Sequence, residues 1–496
     1  MERDICRIAV LGGGITGLSA AFYLLRMAEE RGRKVVVTVF EGSNRLGGRV
    51  NTLRRDGFVI ERGPDSFLGR KLPMLHLARE LGLLGELVGT NPAAPNTYIA
   101  ADGKLRPMPK GMNLGIPNDL GAFARTSYIS PRGKLRALDD LRLPRREETG
   151  DETVGDFLER RLGKEMVERI LEPLLAGIHA GDLYKLGLNA TFPQFAEMER
   201  KYGSVIRGMI EARRAAPAAG AKAAQMRSEA VGGASVPPTA FLTFRSGLSA
   251  VIEALERRIR ALGGEIRLGS TVASLALAGG GTAGGETEGR YRLQLADGAS
   301  FGADAVLFTL PAYANAKLLS PHVDVSAMTA IRYVSVANVV LAYDEKEFNH
   351  KLDGSGFLVP RSEGRTITAS TWTSAKWLHT APAGKRLIRC YVGRAGDEET
   401  VELDDEEMTA AVCRDLRHYM GLTATPLFVE ITRLRQSMPQ YPVDHLKHIA
   451  AFREQLALRL PGVFATGAPF EGVGLPDCVE QGKAAAERLL DSLQAG

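Results

Sequence analysis

Apolar runs and helical spacings succeed one another from the start of the chain. Residues 7–11 form a short apolar run of strand type, and Leu18, Ala21, Phe22 and Leu25 then recur at helical spacing. A second buried strand follows over residues 34–41 and ends in an acid. The 18 residues 8–25 carry no charge and are just long enough to suggest a membrane helix. Gly12, Gly13, Gly14 and Gly17, with Thr16 and Ser19, argue instead for strand, turn and helix. Residues 110–214 read as mostly helical, with a capping-box-like start at Thr153 to Asp156 and Phe157, Leu158 and Leu162 on one face. An Ala/Leu helix ends near Leu262, and buried strands follow at 264–268 and 304–311. Strands at 334–343 and 386–392 and a helix over Asp405–Met420, stopped by Gly421, predict a mixed section. Residues 460–467 read as a strand reaching a turn, and Ala484, Ala485, Leu489 and Leu490 mark a final helix. Residues 215–238, rich in Ala, Gly, Ser and Pro, read as a flexible linker.

Composition narrows the class. The chain has 496 residues, 45% hydrophobic and 24% charged, as in soluble globular proteins of two or three domains. A disordered chain, a coiled coil and a collagen-like fibre are excluded. The net charge of +5 comes without a dense Lys/Arg run, so no nucleic-acid partner is expected. The charge suits an anionic small substrate or a loose, peripheral contact with a membrane surface. No transmembrane segment is expected. The 4 cysteines are far apart, with no CxxC, which argues against a disulfide framework or a metal site and for the cytoplasm.

The first turn carries the chemistry. Gly12, Gly13, Gly14, Ile15, Thr16 and Gly17 form GxGxxG after a strand and at the opening of a helix. In this motif the first glycine permits the turn, the second admits a pyrophosphate, and the third lets helix and strand pack closely. The helix N-terminus offers free N–H groups to phosphate. Glu41 lies 24 residues past Gly17, where a carboxylate can hold a ribose hydroxyl. A second GxGxxG, at Gly279, Gly281 and Gly284, leads into an alternating strand and reads as a hairpin loop. One dinucleotide site is expected, and none for NAD(P)H.

Glu41-Gly42, then Arg45, Gly47, Gly48, Arg49 and Thr52, resemble the RxGGRxxT motif of the FAD-dependent amine oxidase superfamily. Adjacent glycines let the chain pass close under a flavin, and two arginines can meet the pyrophosphate. At the other end, Gly467 and then Gly472, Val473, Gly474 and Leu475 match the turn that sets a helix N-terminus against the flavin ring. Gly63, Pro64, Asp65 and Ser66 follow the superfamily's Glu-x-Gly pattern and are expected near the flavin. Val272 matches the position whose backbone meets adenine.

Residues 172–182, 188–195, 202–206, 103–109, 133–136 and 437–441 closely resemble the protoporphyrinogen/coproporphyrinogen oxidase family, and most of all its soluble bacterial coproporphyrin-forming branch. Two departures stand out: Leu434-Arg435 where the family often has an aromatic, and His179 where Tyr is common. His179 is expected to be packed or at the surface rather than catalytic. The resemblance implies an α/β fold, with a discontinuous Rossmann-like FAD-binding domain, a mixed α+β substrate domain and a helical insert. The expected parts are FAD-binding at 1–80, 239–311 and 436–496, substrate-binding at 81–109 and 312–435, an insert at 110–214 and the linker at 215–238. It also implies removal of six hydrogens from a porphyrinogen, with oxygen as acceptor and hydrogen peroxide as product, within haem biosynthesis. Coproporphyrinogen III is the expected substrate and protoporphyrinogen IX the alternative. An amine oxidase and a non-catalytic escort protein are further alternatives, the first weakened by a 6% aromatic content. No catalytic side chain is expected, because the flavin carries the chemistry. Lys71 and Arg70 are candidate propionate partners. A transient contact with the next haem-pathway enzyme stays open.

Overall fold

The computed structural model describes residues 5–147, 150–278, 282–283, 286–287 and 289–493. Five parallel strands form its central layer, in the order Glu265–Arg267, Val35–Phe40, Cys6–Leu11, Ala305–Phe308, Val463–Ala465. Ile8 faces Val37 on one side and Ala305 on the other, and Phe308 pairs with Ala465. A parallel layer is covered on both faces, which is why these strands are nearly continuous apolar runs. The helix Ile15–Glu30 lies on the layer with Leu18, Ala21 and Leu24 fully buried. It packs against the helices Ser249–Ala261 and Leu475–Ser492. A Cβ on Gly482 would sit 2.6 Å from the carbonyl oxygen of Thr16, so the last helix crosses the first at backbone contact.

A second sheet of seven strands runs Phe428–Gln440, Arg332–Asp344, Lys385–Val392, Ile367–Thr371, Gly354–Leu358, Asn96–Ala101, Lys104–Pro107. It is antiparallel except where Gly354–Leu358 meets Asn96–Ala101. The helix Asp405–Met420 covers it and stops at Gly421, whose φ is 63°. The charge-free stretch near the N-terminus is strand, turn and helix, and among the described residues no helix is long and apolar enough to cross a membrane.

The insert is helical, with Phe157, Leu158, Leu162 and Phe195 fully buried. Thr153 caps the helix Val154–Leu162, its Oγ1 accepting from the Asp156 N–H at 3.0 Å. Arg161, in the last turn of that helix, is buried and paired with Asp140 and, at 3.2 Å, with Glu199.

The expected linker at 215–238 needs correction. A single helix, Val205–Ala230, runs through its first two-thirds. Alanine has the highest helix propensity, and its abundance outweighs the few Gly and Ser. Pro217 lies inside an exposed stretch of this helix. Ser204 caps the start, accepting from the Arg207 N–H at 3.0 Å. The glycines of the second GxGxxG, Gly279, Gly281 and Gly284, lie outside the described residues.

Candidate functional site

The glycine-rich turn has the division of labour its spacing predicts. Gly12 takes φ 112°, open to glycine and strained for other residues. A Cβ on Gly17 would lie 1.9 Å from the Gly12 carbonyl oxygen, so the first helix touches the strand end there. A Cβ on Gly14 would meet nothing within 4 Å. The turn is thus closed on its protein side and open at Gly14, a cradle suited to a pyrophosphate. Thr16 and Ile15 lie buried in the first helical turn, and Gly14, the N-cap, makes no side-chain cap hydrogen bond. The first-turn N–H groups therefore have no side-chain cap.

Glu41 stands just beyond the second strand and braces this turn. Its Oε2 accepts from the Gly13 N–H at 2.8 Å, and its Oε1 from the Ser43 N–H at 2.8 Å. The Ser270 N–H donates to the Glu41 carbonyl at 2.8 Å, which brings the segment leading to Val272 alongside. A Cβ on Gly42 would lie 2.8 Å from Thr271 Oγ1, so this approach also needs glycine.

Gly47 and Gly48 have φ 100° and 57°, and Gly47 bridges to Gly14. The two arginines beside them bind backbone. Arg45 donates to the Gly48 carbonyl at 2.7 Å. Arg49 donates to the Gln436 carbonyl at 3.1 Å, where Gln436 is itself left-handed at φ 44°. Arg49 therefore ties the flavin-type loop to a strand of the second sheet. Burial lowers its pKa from the ordinary arginine value.

Residues 63–66 sit at the junction of the two sheets. A Cβ on Gly63 would lie 1.8 Å from the Arg49 carbonyl oxygen, so these two loops touch at backbone level. Arg389, from the second sheet, donates to the Gly63 carbonyl and to Asn338 Oδ1. Asp65 accepts from Ser66 Oγ at 2.7 Å and lies 3.4 Å from Lys376 Nζ. Burial would raise the Asp65 pKa, but Lys376 and Arg389 outweigh it and hold the carboxyl well below its usual range. Glu61 behaves oppositely: burial pushes it up to about 7 against hydrogen bonds from Leu248 N and Thr52 Oγ1. Asp65 is thus held as an anion at the junction, while burial holds the Glu61 carboxyl above the ordinary carboxylate range. Lys376 and Arg389 escaped sequence reasoning. The available signal was Arg389 itself, a charge inside the apolar run Leu387 to Cys390.

At the C-terminal turn, Gly467 and Gly472 take φ 109° and 104°. Gly467 packs on Thr16, the would-be Cβ 3.4 Å from its Oγ1, which brings the two ends of the chain together. Val473 leads to Gly474, the N-cap of the last helix, which begins at Leu475 and has no side-chain cap bond. Lys71 Nζ meets both carboxylate oxygens of Asp477, in that helix's first turn, at 2.6 Å. Arg70 is exposed. Of the two expected propionate partners, one is therefore already paired and the other faces solvent. His179 is buried, its Nδ1 without a hydrogen-bond partner, and burial pushes its pKa down to about 4. It is a packed, neutral side chain.

Comparisons with known proteins show the family. The profile of the flavin-containing amine oxidoreductases matches residues 15–490. The chain is 40% identical to a coproporphyrinogen III oxidase of Bacillus subtilis, over 98% of both chains. It is 30% identical to a protoporphyrinogen oxidase of Bos taurus, covering 97% of this chain and 98% of the relative. A crystal structure from Exiguobacterium sp. 255-15 superimposes with a TM-score of 0.83 at 35% identity, over 99% of each chain.

Proposed function

The chain belongs to the flavin-containing amine oxidoreductases, with FAD as cofactor, and from that premise we propose that it oxidises coproporphyrinogen III to coproporphyrin III. The observation that carries the substrate is the 40% identity to a coproporphyrinogen III oxidase over nearly the whole chain, against 30% to a protoporphyrinogen oxidase. Six hydrogens leave the porphyrinogen, and three molecules of oxygen take them up as three of hydrogen peroxide. The place of the reaction is haem biosynthesis.

FAD supplies the two-electron chemistry when bound. In this reading the turn Gly12, Gly13, Gly14, Ile15, Thr16 and Gly17 holds the pyrophosphate against the first helix, with Arg45 and Arg49 nearby. Glu41 holds a ribose hydroxyl, and Gly42 and Val272 border the adenine. Gly48, residues 63–66, Gly467, Val473, Gly474 and Leu475 border the flavin ring. Open space at Gly14 and the uncapped helix starts at Ile15 and Leu475 support that placement. Asp65 pairs with Lys376 at 3.4 Å, and Arg389 is held by the Gly63 carbonyl and Asn338, so residues 63–66 are tied to the second sheet. Lys71, once released from Asp477, is the cation placed to meet a propionate.

Porphyrin fluorescence in air, from protein purified without detergent, tests the assignment with coproporphyrinogen III and protoporphyrinogen IX at matched concentration. Faster coproporphyrin formation, above the autoxidation blank, supports it. Preference for the other substrate moves the protein to the protoporphyrin route. No rate with either, from FAD-loaded protein, removes the porphyrinogen reading.

A further inference from the structure

Residues 440–445 form a crossroads between three parts of the molecule. Gln440 closes a strand of the second sheet and donates from Nε2 to the His179 carbonyl of the insert at 2.9 Å. The Tyr441 carbonyl accepts from the insert's Gly187 N–H at 2.8 Å. Asp444 is left-handed at φ 60° and donates its N–H to Asp151 of the insert at 3.0 Å. Between these anchors the Tyr441 ring is buried, 1% exposed. One face stacks on His445 at 4.3 Å and 14°, and the His179 ring packs edge-on at 6.3 Å.

From this socket the Tyr441 phenol reaches the C-terminal turn. Its Oη donates to the Ala468 carbonyl and accepts the Gly472 N–H at 3.1 Å. His445 Nε2 meets the Phe470 carbonyl at 2.9 Å. Two side chains therefore hold a five-residue turn at three successive alternate positions: Ala468, Phe470 and Gly472. That turn leads through Val473 to the uncapped start of the last helix. From the other side Gln481 of the last helix accepts the Gly467 N–H and donates to the Glu471 and Gly472 carbonyls, each at 3.2 Å, while Tyr441 alone takes the Ala468 carbonyl and the Gly472 N–H.

We propose that Tyr441 is a positioning residue for the flavin, its hydroxyl fixing the 467–474 turn so that the start of the last helix faces the cofactor. The inference rests on the placement of FAD at that turn given above. It adds a link that the glycine motifs do not contain. The insert and the second sheet set the Tyr441 ring, and the ring sets the turn. The geometry of the substrate side is thereby joined to the electrostatics of the flavin side.

The test compares wild-type holoenzyme with Tyr441→Phe, Gly474→Val and His445→Gln. Phe keeps the ring stack and removes the hydroxyl, leaving the Ala468 carbonyl and the Gly472 N–H unpartnered. The expected result for Tyr441→Phe is FAD retention weakened about ten-fold by flavin-release fluorescence. Reduced flavin carries the extra charge, so a ten-fold bias against it also lowers the midpoint potential by about 30 mV. His445→Gln retains a donor and should move both readouts less. Unchanged potential and retention in Tyr441→Phe overturn the proposal, and so does a fall in melting temperature alone. Gly474→Val separates the two readings, because its Cβ position lies 2.7 Å from Asp477 Oδ2, so it disturbs the start of the last helix without touching Tyr441. If it perturbs the flavin and Tyr441→Phe does not, only the positioning role fails. If neither variant perturbs it, the placement of FAD at the turn fails with it.

Discussion

Lys71 and Asp477 stand 406 residues apart in sequence, yet Lys71 Nζ lies 2.6 Å from both oxygens of the Asp477 carboxylate. The pair closes the loop after Ser66 onto the first turn of the last helix, where an acid is also favoured by the helix dipole. Both side chains retain solvent access, at 40% and 26% exposure, so the pair adds little stability, about 0.2–1 kcal/mol. Asp477→Asn should therefore leave the melting temperature nearly unchanged. With the ammonium released, KM for the porphyrinogen should fall about 2- to 5-fold at low salt. Lys71→Met should raise KM in the same assay. Equal KM in all three proteins would remove Lys71 from the substrate site.

The glycine turn separates two kinds of loss. Gly17→Ala forces a methyl into the Gly12 carbonyl, which lies 1.9 Å from the Cβ position. Denaturant titration of the flavin-stripped protein should show a loss of about 1–3 kcal/mol. Gly14→Ala meets open space and should cost less than about 1 kcal/mol in the same titration. FAD binding, followed by fluorescence quenching, should weaken strongly in Gly14→Ala even so.

His179 gives stability a pH dependence of known sign. Its pKa is about 4 in the folded protein against 6.5 for the free side chain, so the unfolded chain binds the proton first. Stability is intact above about pH 6.5 and is lost progressively as pH falls towards about 4. The full loss from this group is about 3 kcal/mol. His179→Tyr should flatten the stability profile between those limits, as read by urea unfolding at a series of pH values. An unchanged slope would show that other groups carry the acid sensitivity.

The buried Arg161 answers to Asp140 and Glu199 within the insert. Arg161→Met leaves Asp140 without its cation, although Ser204 Oγ and the Ile206 N–H still donate to it. Removing one partner of a buried pair costs about 3–5 kcal/mol. Melting of Arg161→Met should begin well below that of the parent. Replacing Asp140 and Arg161 together by apolar residues should recover part of the difference.

Much of the site was legible because its constraints are local. A glycine turn between a strand and a helix must look as residues 7–25 look, wherever the rest of the chain goes. The same holds for Gly47-Gly48 and for the turn before Leu475. Lys376 and Arg389 were not legible, since their partners Asp65 and Gly63 lie 311 and 326 residues away. Tyr441 was visible only as a letter in a motif, because its hydrogen bonds run to Ala468 and Gly472 through tertiary packing. The misread helix at Val205–Ala230 failed for a different reason. Gly, Ser and Pro drew attention there, while the more numerous alanines decided the backbone.

The central layer takes its strands from four distant places, and this sets an order of events during synthesis. The Gly12 turn precedes its neighbour strand Ala305–Phe308 by about three hundred residues and the outer strand Val463–Ala465 by about four hundred and fifty. Arg7 already shows the span, its N–H donating to Asp304 across 297 positions. Such long closures are slow, and contacts that depend on them form late. A nascent chain thus carries an incomplete nucleotide cradle until residues 463–475 have left the ribosome. Cofactor capture has to wait for the synthesis of that segment.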